Sequence, residues 1–161
     1  SGNEKPIVGY FENKKEQSLY LLKSLNQLKT NNNISSTVVL HRSRSGLNAI
    51  QSFLGENGYD TQILLDSGEI DFERESIKIC TLSSVKGLEF DNVFIIDLND
   101  DILPYPPGFN GEDDELHIST ERRLLYTSMT RARERLYLLS SGEPSRYLTE
   151  IDEDLLVKAN N

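Results

Sequence analysis

Two short segments of the chain carry the side chains best suited to phosphate chemistry. The first, TLSSVKGLEF over residues 81–90, places hydroxyls, a lysine, a glycine and a glutamate between two apolar runs. The second, TRAR over residues 130–133, holds two arginines. An arginine can bridge phosphate oxygens with its planar, permanently charged fork, and a glycine lets backbone N–H groups approach a phosphate closely. These residue types are suited to a phosphorylated ligand, but arginines in such a pattern are also typical of a surface ion pair, so the residue types alone leave both interpretations open.

The elements around the first segment predict where it lies. An apolar run over residues 77–80 precedes the polar turn, and a stronger run over residues 93–96 follows it. Strand, glycine-bearing loop, short helical segment and strand is how an α/β sheet presents a ligand-binding loop at its carboxyl edge. We therefore expect residues 81–89 to form a loop at one edge of a sheet.

The rest of the chain alternates helical and apolar patterns. A strand or an entry linker is expected over residues 6–11, and further strands are expected over 37–40, 61–65 and 136–139. One helix should bury Leu19, Leu22, Leu25 and Leu28, and a second should bury Leu47, Ile50, Phe53 and Leu54. A third helix should begin near Glu121 and end with Arg131, Arg133 and Arg135. A fourth, short helix should close the chain over residues 144–151. Residues 66–76 and 99–116 are expected to be polar surface connections. Such continuous apolar runs predict an α/β fold with a mostly parallel sheet covered by helices on both faces.

Composition further limits the classes of protein to which the chain can belong. The chain has 161 residues, which suffices for one α/β domain, and its 17 Lys and Arg against 26 Asp and Glu give a net charge of −9. Nucleic-acid grooves are usually basic, so any strand contact here should be small or made by other domains. The one cysteine, Cys80, is expected in the core. No apolar run is long enough for a membrane span, and we expect a cytoplasmic protein.

Three ordered segments resemble the motifs of a known family. TLSSVKGLEFDNVFIIDL resembles motif V of the superfamily 1 helicases of the UvrD/Rep type, and ERRLLYTSMTRARERLYLL resembles their motif VI. The shorter VVLHRSRS, over residues 38–45, resembles motif IV. The resemblance implies the second, C-terminal motor domain of such a helicase, a RecA-like three-layer sandwich over residues 3–151, with a flexible tail over 152–161.

The resemblance also implies roles for single residues. Arg131 matches the arginine finger of motif VI and Arg42 matches the motif IV arginine, so both are expected at the γ-phosphate of ATP. Glu89 matches the glutamate that contacts the nucleotide sugar. A surface ion pair is the alternative for each arginine, and a solvated loop carboxylate is the alternative for Glu89. Gly87 is expected to let the backbone approach the nucleotide, and Lys86 is either structural or phosphate-directed.

Two further positions of motif V are expected to contact nucleic acid. These are Thr81 and Ser83, and the family commonly has a histidine at the position of Ser83. That histidine contacts the phosphate backbone, whereas serine retains only one hydrogen-bond donor. The departure puts strand coupling at this point in question. His41 and His117 do not replace the histidine by position, and neither has metal-ligand spacing to a partner, so no metal site is expected.

What the sequence lacks defines the expected partner. No G-x-x-x-x-G-K-[ST] phosphate loop occurs, and no Asp-Glu pair follows a strand in the family's arrangement for Mg²⁺. The fragment alone is therefore expected to be inactive as an ATPase. ATP and Mg²⁺ would be shared with an N-terminal RecA-like domain of the same protein, which would hold the metal ligands, and single-stranded DNA would be the second partner.

Two alternatives to a DNA helicase remain open. About 40 residues separate Arg42 from Thr81, too few for the accessory domain that processive family members insert there. In this spacing the chain resembles the compact UvrD-like ATPases of the HelD group, which associate with RNA polymerase and remodel it. The other alternative is a non-catalytic interaction module that keeps the motifs as a scaffold.

Overall fold

The described residues fold around a seven-stranded sheet. The computed structural model describes residues 4–65, 71–106 and 115–159, and every ladder between strands of this part is parallel. The sheet order is β3-β4-β2-β5-β6-β1-β7. The strands are β1 Ile7–Tyr10, β2 Thr37–His41, β3 Thr61–Ile63, β4 Ile77–Thr81, β5 Phe90–Ile95, β6 Ala132–Ser140 and β7 Val157–Lys158. The predicted parallel α/β sheet is confirmed.

Helices cover both faces of this sheet, as the sequence predicts. The described segments contain four α-helices, which are α1 Lys14–Thr30, α2 Leu47–Glu56, α3 Glu115–Met129 and α4 Arg146–Thr149. One core cluster joins α1 and α2 to side chains such as Phe94, and a second joins Leu125 of α3 and Tyr147 of α4 to the opposite face. Cys80 is buried in the second cluster. In the described segments, no helix is long and apolar enough to cross a bilayer.

Helix α1 buries Leu25 and Leu28 as predicted, but its buried stripe begins with Gln17 and Leu21 and not with Leu19. Its buried residues include Gln17, Leu21, Leu25 and Leu28, whereas the Leu19 side chain is 54% exposed. Positions separated by three or four residues share one helix face, and the stripe that contains Gln17 and Leu21 is the one that meets the sheet. Gln17 could not be placed in the core by hydrophobicity because it is buried through hydrogen bonds.

Helix α3 starts six residues before the expected start and ends earlier than predicted. It runs from Glu115 to Met129, so Arg131 lies in a turn and Arg133 lies on β6. The reason is the ladder with β5, in which Phe90 pairs with Ala132 and the Phe90 N–H donates to the Arg131 carbonyl at 2.9 Å. The predicted position of the arginines at a helix end was wrong.

The expected flexible tail is structured over its described part. Residues Glu153–Leu155 form a 3-10 turn, and Val157–Lys158 extends the sheet beside β1. The Val157 N–H donates to the Pro6 carbonyl at 2.9 Å, and the Ala159 N–H donates to the Val8 carbonyl at 2.8 Å. An edge strand of two residues has too little periodicity to be read from sequence. Residues 66–70 and 107–114 of the predicted connections lie outside the described residues.

Candidate functional site: an arginine on the turn before strand β5

The Arg131 side chain lies against the turn that precedes β5. Its Nη1 donates to the Leu88 carbonyl at 3.5 Å and its Nη2 donates to the neighbouring Thr130 hydroxyl at 3.1 Å. The Arg131 Nε is buried and has no hydrogen-bond partner among the described residues. A buried guanidinium N–H without an acceptor is costly. Because the Arg131 guanidinium makes only one long hydrogen bond to the turn, it could donate hydrogen bonds to an anion at little cost in free energy.

The turn itself presents the motif V residues to solvent. Residues Lys86, Gly87 and Glu89 are all exposed, while Val85 beside them is buried and fixes the turn to the core. Gly87 has φ +78°, a conformation that favours glycine, and an added Cβ there would meet nothing within 4 Å. The structure therefore brings Arg131 together with the Gly87–Glu89 turn.

The two predicted nucleic-acid contacts lie at the carboxyl end of β4. Thr81 is 6% exposed, and its hydroxyl bonds the Ser84 hydroxyl at 2.9 Å and accepts from the Ser84 N–H at 3.2 Å. Ser83 is exposed, and its hydroxyl lies 3.3 Å from that of Thr81. Thr81 thus shapes the turn, and Ser83 is the member of the pair that can reach a ligand.

Arg42 is held away from Arg131. Its Nε and Nη2 donate to the two carboxylate oxygens of Glu121 at 2.8 and 2.9 Å, and its guanidinium lies 4.7 Å from the Tyr105 ring centroid. Glu121 and the last helical residue, Met129, are eight positions apart in α3, which is roughly 12 Å, and Arg131 follows two positions later in the turn. Glu121 occupies the Arg42 fork in this conformation, and the expectation that both arginines reach one γ-phosphate stays a prediction.

Glu121 is the centre of this clamp, and sequence reasoning missed its role. It is 4% exposed and also accepts the Tyr105 N–H at 2.6 Å. Burial raises the pKa of Glu121, but the bonds from Arg42 and the Tyr105 N–H outweigh it, so the pKa lies below its ordinary value. Nothing in the sequence around Glu121 indicates that its partner is Arg42, which is 79 residues away.

A second buried network closes the carboxyl ends of β2 and β5. The Asp97 carboxylate accepts from Gln17 Nε2 at 2.9 Å and from the Ser141 hydroxyl at 2.7 Å, and it lies 2.9 Å from His41 Nε2. Burial raises the pKa of Asp97, but these hydrogen bonds outweigh it and lower the pKa to about 2. His41 is therefore a buried histidine that packs and hydrogen-bonds inside the domain.

The lowered pKa of Asp97 predicts acid sensitivity. A carboxylate whose pKa falls from 3.8 unfolded to about 2 folded stabilises the fold above pH 4 and loses that effect as pH falls through 2. We expect the free energy of unfolding to drop by about 2 kcal/mol between pH 5 and pH 2 from this group alone.

Urea unfolding of wild type and Asp97→Asn across this pH range measures the contribution of Asp97. The variant should be less stable at pH 6 and should show a shallower decline in acid. Parallel declines for the two proteins would show that Asp97 is not the titrating group.

The fold is that of a RecA-like α/β domain with a parallel sheet. A family model described as the UvrD-like helicase C-terminal domain matches residues 60–143, just over half of the chain. The chain belongs to this family. The match includes Ser83, Glu89 and Arg131 but not Arg42.

Curated relatives and solved structures agree with this assignment. ATP-dependent DNA helicases PcrA from Staphylococcus epidermidis and Staphylococcus aureus are each 36% identical over 108 residues, which is 60% of this chain and 14% of the relative. The chain thus spans about a seventh of the length of these relatives.

Two solved structures share the fold. The C-terminal domain of a possible DNA helicase from Lactobacillus plantarum superposes with a TM-score of 0.75 at 21% identity, covering 98% of this chain and 86% of that one. The SWI2/SNF2 ATPase core of Sulfolobus solfataricus, in complex with double-stranded DNA, superposes with a TM-score of 0.60 at 12% identity, covering 84% and 27%.

Proposed function

We propose that this chain is the second motor domain of an ATP-dependent superfamily 1 DNA helicase or translocase. It supplies the arginine finger to an ATP site whose phosphate loop lies on an N-terminal RecA-like domain. One observation carries the proposal: the Arg131 guanidinium rests on the Gly87–Glu89 turn with its Nε buried and no partner for that atom within the described segments. An incomplete cationic half-site of this kind fits a ligand held by another domain.

Each residue of the half-site has a defined task. Arg131 neutralises charge that develops on the transferring γ-phosphoryl group, which a permanently charged planar fork does well. Glu89, exposed beside it, accepts hydrogen bonds from the ribose hydroxyls, and the Gly87 backbone allows the nucleotide to approach without a side chain. Lys86 on the same turn supports the phosphates by its charge.

Binding of Mg²⁺ and the role of Arg42 fall outside this half-site. Mg²⁺ would neutralise charge between the phosphates, and its ligands are assigned to the N-terminal domain, because no group of three or more His, Cys, Asp or Glu in the described part could hold a metal ion. Arg42 acts as a positioning residue: by holding Glu121 it fixes α3, and α3 leads directly to Arg131.

Domain closure would couple this chemistry to movement along a strand. Binding of ATP between the two RecA-like domains would draw Arg131 to the γ-phosphate, and hydrolysis would release it. One loop runs from the carboxyl end of β4 to the start of β5. Thr81 and Ser83 lie where this loop begins, and Gly87 and Glu89 lie where it ends. A strand held at Ser83 and a nucleotide held at Glu89 would thus share one short loop.

A compact ATPase that remodels RNA polymerase is the second candidate. The observation that favours it is the segment between Arg42 and Thr81, whose described residues contain only a 3-10 turn, α2, β3 and β4. Ser83 in place of histidine and the net charge of −9 point the same way. The relatives reported above are named as DNA helicases, which favours the first candidate.

Stimulation of ATP hydrolysis separates the candidates. We expect the full-length protein to hydrolyse ATP faster when single-stranded DNA is added, and the 161-residue chain alone to show no hydrolysis. Initial rates with no addition, with a single-stranded oligonucleotide and with RNA polymerase give the answer. Stimulation by the polymerase alone would replace the first candidate by the second, and no ATP hydrolysis under any condition would contradict both.

A further inference from the structure

Strand β3 forms one edge of the sheet and pairs with β4 alone. The Asp60 carbonyl and the Leu64 N–H each bond to a residue of β4, at 2.9 and 2.8 Å. Alternate residues of a strand direct their backbone groups to opposite sides, so Thr61 and Ile63 direct theirs away from β4. Strand β3 therefore presents a short row of outward backbone donors and acceptors.

The connection from β3 to β4 packs on a face of these strands. In its described part, residues 71–76, the Arg74 carbonyl and the Ser76 hydroxyl accept from Lys78 Nζ at 3.1 and 2.7 Å. The Lys78 side chain lies on the same sheet face as Cys80, because side chains two residues apart in a strand share a face. The main chain of this part of the connection thus lies over the strands rather than beside the edge.

Little of the described chain covers the edge itself. Arg74 Nη2 donates to the Thr61 carbonyl at 3.3 Å, and the same nitrogen bonds Asp60 at 2.6 Å. In the part of the chain that the structure describes, the Thr61 N–H and both backbone groups of Ile63 have no hydrogen-bond partner. Proteins usually protect such an edge with a lysine, a proline or a bulge, and β3 has none of these. The edge is therefore open to an added strand.

Exposed apolar side chains lie at both ends of this edge. Leu65, two residues beyond β3, is 48% exposed. Phe72 is 58% exposed, and it lines a cavity of about 730 Å³ together with Tyr59 and Asp60, which come just before β3. Main-chain bonds give an added strand affinity, and side-chain contacts give it specificity. Leu65 and Phe72 can supply such contacts.

The charge around the edge is strongly negative. Residues 60–76 contain six Asp and Glu against one Arg, a net charge of −5, which is over half of the −9 of the whole chain. Asp71, Glu73 and Glu75 are exposed. Arg74, the one base, is already paired. A partner segment with Lys or Arg would complement this charge, whereas a second copy of this chain would bring the same negative charge against it.

We propose that the β3 edge binds an extended, basic segment of a partner protein as an added strand. The outward backbone groups of Thr61 and Ile63 would bond the segment, and the Arg74 guanidinium would yield the Thr61 carbonyl to it. Apolar side chains of the segment would lie against Leu65 and Phe72, and its basic side chains would face the acidic connection. The inference goes beyond the proposed function and does not depend on it.

Amide NMR of the 161-residue chain tests the added strand directly. The probe is a capped hexapeptide in which lysine and valine alternate, acetyl-Lys-Val-Lys-Val-Lys-Val-amide. We expect saturable shifts of the Thr61 and Ile63 amides. Hydrogen exchange of these two N–H groups should slow by about fivefold at saturation, because each gains one hydrogen bond.

Two control peptides separate strand addition from attraction by charge. The first is the same hexapeptide methylated on every main-chain nitrogen, which keeps the charge but cannot donate backbone hydrogen bonds. It should bind about tenfold more weakly. The second has glutamate in place of lysine and should not shift the Thr61 or Ile63 amide at the same concentrations.

A variant with a matched control assigns the site to the edge. Because the Thr61 N–H points outward, Thr61→Pro removes an edge donor and leaves the ladder to β4 in place. It should weaken binding of the lysine peptide by about fivefold, whereas Thr61→Val keeps the N–H and should leave binding unchanged. The amide spectrum away from β3 checks that each variant is folded, and the methylated peptide decides the question without any variant.

The outcomes that would overturn the proposal are distinct. Equal affinity of the methylated and unmethylated peptides would leave only attraction by charge. Shifts confined to residues 71–75, or no shift at all, would also overturn the added strand. Self-association of the chain through β3 without peptide, seen by sedimentation equilibrium, would assign the edge to a second copy instead of a basic partner. The ATPase measurement above does not involve this edge, so the motor and the added strand can fail separately.

Discussion

Replacing Arg131 with alanine should lower kcat for ATP hydrolysis by the full-length protein about 10³-fold or more. This is the scale for removing an arginine finger from a phosphoryl-transfer site. The KM for ATP should change far less, because the finger acts mainly on charge that develops in the transition state. Steady-state kinetics of the purified variant with saturating single-stranded DNA provide the measurement.

Arg133→Ala is the matched control for this experiment. Arg133 lies two residues away, with its side chain 48% exposed, and pairs with Asp91 at 2.9 Å. A surface pair of this kind contributes little, so its loss should leave kcat within about twofold and stability within about 1 kcal/mol. Equal kcat for Arg131→Ala and wild type would support the non-catalytic interaction module instead of the motor.

Replacing Glu121 with alanine should lower the free energy of unfolding of the 161-residue chain by about 3 kcal/mol. The substitution leaves the Arg42 guanidinium, whose side chain is 22% exposed, without its bidentate partner and removes the acceptor of the Tyr105 N–H. Breaking a buried ion pair from one side typically costs about 3–5 kcal/mol, and the partial exposure of Arg42 places this one at the low end. Urea unfolding followed by circular dichroism measures it.

The pair Arg122 and Glu150 supplies the comparison. It has the same bidentate geometry, at 2.9 and 2.8 Å, but its side chains are 35% and 38% exposed. Glu150→Ala should therefore cost less than about 1 kcal/mol. If Glu121→Ala and Glu150→Ala cost the same, the clamp does not organise α3. A double-mutant cycle of Arg42→Ala and Glu121→Ala should then also show no coupling.

The sequence predicted what depends on local pattern. Apolar runs located the strands β2, β4 and β5. Residues 82–89 form the predicted connection between β4 and β5, but it runs from the carboxyl end of β4 to the start of β5, at the opposite edge of the sheet, instead of staying at one edge. The contact of Arg131 with the Leu88 carbonyl joins two segments that resemble ordered motifs of one family, and the roles of these residues stay predictions. These features depend on residues that are close in sequence, or they are shared among members of the fold.

The sequence did not predict what depends on distant partners. Arg133 and Arg135 follow a helical pattern, but bonds to Asp91 and Asn92 hold them on β6. Glu121 and Arg42 are 79 residues apart, and no periodicity reveals their bond. Pairing of β6 with β5 overrode the helical propensity of Arg133 and Arg135. The ion pair of Arg42 and Glu121 is buried between distant parts of the chain, and composition does not indicate it.

The most direct measurement is the position of Arg131 in a crystal structure of the full-length protein bound to Mg²⁺ and ADP with a γ-phosphate mimic such as aluminium fluoride. The account predicts an Arg131 guanidinium nitrogen at about 3 Å from the fluoride atoms, with Glu89 at the ribose of the same nucleotide. An Arg131 guanidinium still on the Leu88 carbonyl, with another residue's cation at the fluoride, would contradict it.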